Sequence, residues 1–421
     1  MPRDNVVVGL DIGTTKVVVV VAEPAPEGTF HILGLGEAPS GGLRKGVIID
    51  IEGVARAIRG AAEQAERMSG HRISSAYVGL TGPHVGSINN RGVVAITGPG
   101  GEVVPEDVER VLQAAQVIPL PAEQRIIHVI PRQYIIDGYD GITDPVGMCG
   151  ARLEVEAQIV TAAGAAVQNV VKSVERAGLS VEELVLSPLA SSLAVLQPAE
   201  RELGSVVIDL GGGTTEIALV SQGSLWYAGV LPIGSEHITS DLAVGLRTPL
   251  AQAEEIKREY GCVPASQASD SLIIEVPVVG TKEKRKVSQR VLASIIEPRV
   301  EEIFHLVKQE MEKSKFPGLL PGGAVLTGGG SLLRGMPQLA SEVLALPVRL
   351  GWPGGMGGLA DMVASPLYST AVGLVSYGVN RIAQGQAAAA RESPWGSLWI
   401  GIKNWWHDLF IGIKNWWRDL F

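Results

Sequence analysis

One pattern occurs twice, and it limits the fold more than any other feature of the 421-residue chain. Residues 5–22 read NVVVGLDIGTTKVVVVVA and residues 205–220 read SVVIDLGGGTTEIALV. Each is a β-rich run, an aspartate, a glycine-containing turn, two threonines and a second β-rich run, the sequence form of a hairpin. Two such hairpins predict two similar halves, each a buried sheet covered by helical segments such as 52–67 and 168–177.

Residues 83–160, between the halves, carry β-rich runs at 92–96, 126–130 and 153–160 and a helical run at 105–115. They predict an inserted α+β subdomain. A second insert is expected over 232–297, where the helix pattern 249–260 precedes a strand and a charged turn. The fold class is therefore α/β with two inserts. With 46% hydrophobic and 19% charged residues the chain is ordinary globular material, and 52 Gly and 25 Pro call for many tight turns.

The hairpin loops have the chemistry of a phosphate grip. In Asp11-Ile12-Gly13-Thr14-Thr15-Lys16, glycine lets the backbone approach a ligand, amides and hydroxyls donate to phosphate oxygens, and Lys16 adds positive charge. Asp209 with Gly211, Gly212, Gly213, Thr214 and Thr215 is expected to face it across a cleft. Asp11 and Asp209 are then placed to hold Mg²⁺ through water, because this ion keeps several waters beside nucleotide. A third element, 324–331, runs from a strand into Gly328-Gly329-Gly330-Ser331, with Ser331 expected to cap a helix over 332–343 and the turn to seat a nucleoside or α-phosphate. A lone glycine turn is usually only a turn; three in this order point to a nucleotide.

Charge and composition exclude other classes. A formal net charge of -9 leaves no broad cationic surface for nucleic acid. Cys149 and Cys262 are the only cysteines, too few for a disulfide scaffold, and the seven histidines form no ligand cluster. The N-terminus lacks a signal-peptide pattern and no 18-residue stretch is apolar throughout, so a cytosolic location is expected.

The order DIGTTKV, DLGGGTTE, TGGGS resembles the phosphate-1, phosphate-2 and adenosine motifs of the actin, sugar kinase and heat-shock chaperone superfamily. Within it, residues 81–94 (TGPHVGSINNRGVV), Glu236-His237-Ile238-Thr239 with 245–249 (GLRTP), and Ile296-Glu297-Pro298-Arg299 resemble the bacterial cell-division FtsA family, over residues 5 to about 381. The resemblance implies an actin-like two-domain fold that binds ATP and Mg²⁺. It divides the chain into 1–82 with 161–202 (subdomain 1A), 83–160 (insert 1C), 203–231 with 298–381 (2A), and 232–297 (2B).

It further implies filaments on the cytoplasmic face of the membrane, anchoring of the tubulin homologue FtsZ, and contacts with other division proteins. Glu254 and Lys257 match a ribose-contacting pair, a spacing that an i,i+3 surface ion pair shares. The FtsZ C-terminal peptide is expected in a groove lined by Lys286, Arg290 and Arg299, although the run 281–286 also reads as a solvated hairpin tip. No catalytic residue is expected: Ser187 stands where hydrolytic relatives carry a water-positioning side chain, so turnover should be slow. A small-molecule kinase and a pilus-assembly scaffold of the same superfamily are the alternatives.

Six of the eight tryptophans fall after residue 394, in the tandem repeat IGIKNWWHDLF-IGIKNWWRDLF of residues 400–421. At about 100° per residue an 11-residue repeat overshoots three turns by only about 20°, so both copies face alike. Trp395, Trp399, Trp405, Trp406, Phe410, Trp416, Trp417 and Phe421 share one side, predicting an amphipathic membrane helix over 395–421. A small, polar tether over 382–394 is expected to join it to the body.

Overall fold

The computed structural model describes residues 6–392 other than 282 and 317, and for 27 and 384–392 the backbone alone. Both expected hairpins are present. Val7–Ile12 pairs antiparallel with Lys16–Pro24, and Ser205–Leu210 with Thr215–Ser221. In the first sheet the third strand, Phe30–Pro39, extends the hairpin, while Ser75–Leu80 and then Ser180–Leu186 add parallel on the other side of Val7–Ile12. In the second, Ser224–Leu231 extends the hairpin, and Ala324–Thr327 and Val348–Leu350 add parallel beside Ser205–Leu210.

Counted within each half, both orders are third-second-first-fourth-fifth. The first sheet carries one extra edge strand, Met356–Gly358. Central strands read as continuous valine and isoleucine runs because helices cover the sheet faces, and Val17 to Ala22 are all inaccessible to solvent.

Helix Ile51–Ser69 lays its alanine-rich stripe, Ala57, Ala61, Ala62 and Ala65, on the first sheet. Helix Gln289–Lys313 buries Leu292, Ile296, Val300, Ile303, Phe304 and Val307 in the second core. At roughly 25 cal/mol per Å² of apolar surface, such stripes dominate the folding free energy.

The insert is a four-stranded antiparallel sheet, in order Val85–Ala95, Arg152–Ala163, Gln124–Ile136, Tyr139–Ile142, packed on helix Pro105–Ala115. It springs from the first half but also covers the free edge of the second, a position where an unpaired strand invites aggregation. Ser87 Oγ donates to the Ala228 carbonyl at 3.1 Å, and the Arg132 guanidinium lies 3.3 Å from the Trp226 ring centre.

Two expectations need correction. The helix after TGGGS begins at Met336, with Gly335 as N-cap, so Ser331 does not cap it; a 3-10 turn, Gly329–Leu332, intervenes. The expected tether over 382–394 is helical as far as Glu392, the end of the closing helix Ser369–Glu392. Four consecutive alanines at 387–390, the best helix formers, explain why small residues continue the helix here. The expected membrane helix over 395–421 lies outside the described residues. Among the described residues no helix is long and apolar enough to cross a membrane.

Candidate functional site

The two hairpin loops meet at the floor of a cavity of about 1370 Å³. Asp11, Gly13, Thr14, Thr15 and Lys16 line it from the first half; Asp209, Gly211, Gly212, Thr214 and Glu216 line it from the second. The loops interlock. A Cβ on Gly212 would lie 2.6 Å from Thr15 Cγ2, and one on Gly213 would lie 2.7 Å from Thr14 Oγ1. The second loop is glycine because the first loop's threonines fill its space.

Both loops close with the same hydrogen bond: Gly13 N–H donates to Lys16 O, and Gly211 N–H to Thr214 O, each at 2.9 Å. The strand registers, Ile12 to Val17 and Leu210 to Thr215, agree. Hence Lys16 corresponds to Thr214 and Val18 to Glu216, and the Thr-Thr pairs that align by eye are not equivalent in space. Thr215 lies in the strand, its hydroxyl donating to Ile233 O at 2.7 Å.

Three acids share this floor. Burial pushes the Asp11 carboxyl up to about 7; the Asp209 charge adds to the shift and Lys16 opposes it. Burial also lifts Asp209 to about 6, while the Thr370 and Ser191 hydroxyls favour its ionised form, Thr370 Oγ1 donating to Oδ2 at 2.9 Å. Glu216 is raised well above the ordinary range by burial and then by Asp209, and its Oε2 is buried without a partner.

Among the described residues no three acidic, histidine or cysteine side chains converge to chelate a metal. A divalent cation entering here would be held by Asp11 and Asp209 through water. Such a cation would relieve the mutual repulsion of these carboxylates.

The third element closes the other wall. Gly328, Gly329 and Gly330 line the cavity, and Gly328 adopts φ +81 with the Asp209 carboxylate against its Cα, where any side chain would collide. Ser331 is buried behind them, its Oγ donating to Gly328 O at 2.7 Å rather than facing the cavity. Glu254 and Lys257, on helix Leu250–Tyr260, line the same wall 2.6 Å apart. They form the i,i+3 ion pair, and both line the cleft. Burial lowers the Lys257 ammonium, which also donates to Thr239 Oγ1 at 2.9 Å and Ser235 O at 3.2 Å.

Comparisons with known proteins agree with this architecture. A family model described as "Cell division protein FtsA" matches residues 206–373, and one described as "SHS2 domain inserted in FTSA" matches 82–161. The Cell division protein FtsA of Pseudomonas aeruginosa is 44% identical over 393 residues, covering 93% of this chain and 94% of that relative. The chain belongs to the FtsA family of cell division proteins.

Two solved structures share its actin-like fold. A PilM–PilN type IV pilus biogenesis complex matches with TM-score 0.64 at 22% identity, covering 90% of this chain and 99% of its own. MreB 5 of Spiroplasma citri bound to AMPPNP matches with TM-score 0.53 at 16% identity, covering 91% and 100%.

The groove expected on this FtsA-family chain for a partner peptide is not assembled as drawn. Arg290 and Arg299 sit nine residues apart on one helix, about half a turn out of phase. Arg290 pairs with Asp270 at 2.7 Å, while Arg299 pairs with Asp241 at 2.6 Å and also with Glu302. Lys286 is exposed on strand Lys284–Ser288, whose alternation turns it away from Arg285; that arginine reaches the C-terminal carbonyls of helix Ser235–Leu246. The three cations therefore do not line one groove.

Residues missed from sequence are Glu216, Thr370, Glu37 and Tyr368. Only Glu216 left a signal, as the acid that follows the second Thr-Thr.

Proposed function

We propose that the chain binds ATP with Mg²⁺ between its two halves, assembles into filaments on the inner face of the cytoplasmic membrane, and anchors FtsZ there. The observation that carries this reading is the interlock of the Thr14-Thr15 and Gly212-Gly213 loops beside Asp11, Asp209 and Glu216. Backbone amides of both loops and the hydroxyls of Thr14, Thr15 and Thr214 would bind phosphate oxygens; Glu254 and Lys257 would take the ribose. Asp11 and Asp209 would hold Mg²⁺ through water, and the ion would neutralise charge on the phosphates.

Hydrolysis is expected to be slow. Ser187 Oγ is buried without a partner near Asp11, and it is too short and too weakly basic to orient an attacking water. Phosphate release at on the order of ten per second or faster from purified protein would overturn this.

FtsZ anchoring is assigned to the unit 232–297 together with Arg299, which pairs with Asp241 of that unit. Arg299→Glu should abolish binding of the FtsZ C-terminal peptide and leave ATP binding intact; unchanged peptide affinity would move the site elsewhere. The repeat of residues 400–421 supports membrane attachment through its aromatic side. Liposome co-sedimentation with ATP and the FtsZ peptide, followed by negative-stain microscopy, tests the three parts together. Deleting residues 411–421 should weaken vesicle binding by orders of magnitude. A full-length chain that ignores adenine nucleotides, or stays in the supernatant with vesicles, would refute the proposal.

A further inference from the structure

Lys16 closes the first phosphate loop, but its ammonium does not rest on that loop. Nζ lies 3.1 Å from Glu37 Oε2 and 4.2 Å from the centre of the Tyr368 ring. The Tyr368 hydroxyl donates to the same Glu37 oxygen, also at 3.1 Å. Strand register explains the first contact: Lys16 stands opposite Pro39 and Val18 opposite Glu37, so Lys16 and Glu37 are diagonal neighbours on one sheet face. The backbone N–H of Glu37 donates to Gln64 Oε1 at 3.0 Å, fixing that stretch of strand against helix Ile51–Ser69.

All three side chains line the cleft, and the Lys16 charge is felt at Asp11 on its floor. A lysine is a point charge on a flexible four-carbon stem, so it can exchange one oxygen anion for another without backbone motion. A terminal phosphate carries more negative charge than a carboxylate and so outcompetes it.

We propose that Glu37 and Tyr368 are positioning residues that park the Lys16 ammonium while the cleft is empty and surrender it to the phosphates of an entering nucleotide. Glu37 acts as an internal competitor, and the Tyr368 ring and hydroxyl define where the ammonium waits. The exchange weakens nucleotide affinity by the strength of the parked contact, and most for the nucleotide with the most phosphate charge. It also strips Tyr368 of its cation, at the turn immediately before the closing helix. This inference rests on the nucleotide reading of the cleft.

The test is titration calorimetry of the full-length protein with Mg·ATP and Mg·ADP, for wild type, Glu37→Gln, Lys16→Met and the double variant. Glu37→Gln is expected to tighten ATP binding roughly fivefold, the worth of a part-exposed ion pair, and ADP binding less. In the Lys16→Met background the gain disappears. Should Glu37→Gln fail to fold, Glu37→Asp shortens the side chain by one methylene, draws the carboxylate back from Nζ and gives a smaller gain of the same sign.

Crystal structures with and without nucleotide are expected to show Nζ on phosphate and on Glu37, respectively. A nucleotide-bound structure with Nζ still on Glu37, equal ATP affinity of wild type and Glu37→Gln, or a gain that persists without Lys16 overturns the proposal and leaves the nucleotide site standing. Wild-type protein that binds neither nucleotide overturns both.

Discussion

The two hairpins share a strand register, a turn hydrogen bond and an aspartate, yet their loops do opposite jobs. The first projects hydroxyls and a lysine; the second withdraws into glycine and places an acid, Glu216, where the first has Val18. Their aspartates differ too. Asp209 is restrained by hydroxyl donors, whereas Asp11 has only the more distant Lys16 to offset burial. A duplicated scaffold has thus been filled asymmetrically, with threonine side chains on one side and the glycines that make room for them on the other.

The strongest way to break this division is Gly213→Val. Its side chain would collide with Thr14 and with the backbone N of Lys45, 3.2 Å from a modest Cβ, and force the loops apart. ATP affinity, measured by calorimetry, should fall on the order of 100-fold, as displacements of about 1 Å do at preorganised sites. Gly213→Ala should lose less, and less still when made in a Thr14→Ala background, since the two side chains compete for one space. Additive losses would show that the interlock is not the cause.

A smaller effect should appear in the pH dependence of the ligand-free protein. Carboxyls raised in the folded state keep their protons to higher pH than in the unfolded chain. The stability they contribute is therefore fully present below about pH 4 and lost as pH rises through their folded values, about 6 for Asp209 and about 7 for Asp11. Urea unfolding should show a decline of roughly 4 kcal/mol from pH 5 to 8 from this cluster. Glu216→Gln should flatten it. A rise over that range in the wild type but not in the variant would contradict the assignment.

The smallest change sharpens the contrast between the aspartates. Thr370→Val removes the hydroxyl that donates to Asp209, costing about 1 kcal/mol, and should raise the Asp209 carboxyl toward the value of Asp11. Carboxyl carbon NMR titration would register the shift; an unmoved Asp209 would leave the asymmetry to burial alone.

Much of the scaffold was legible because hairpins and buried strands announce themselves locally, in β-branched runs broken by glycine. The insert's helix over 105–115 was likewise written in its own residues. What escaped depended on pairings between distant segments. The Thr-Thr pairs are adjacent to matching strands, but only the cross-strand register shows that the loops are equal in length and offset. Glu37 and Tyr368 carry no motif, and they meet Lys16 only because two elements far apart in the chain close on it. Arg290 and Arg299 looked like neighbours in a charge count, whereas helical phase sends them to opposite sides. Ser331 resembled a cap until the intervening 3-10 turn spent its hydroxyl locally.

The closing helix has a mechanical meaning. Its root is fixed at the cleft, where Ser369 shares a hydrogen bond of 2.6 Å with Thr327 and Thr370 holds Asp209. Its 24 residues span about 36 Å before residue 393 begins. A limp string would let whatever follows wander over a sphere; a spar fixes both the point and the heading of departure. A helix rooted beside Asp209 thus sets where the chain stands at Glu392, the last residue described ahead of the tryptophan-rich repeat.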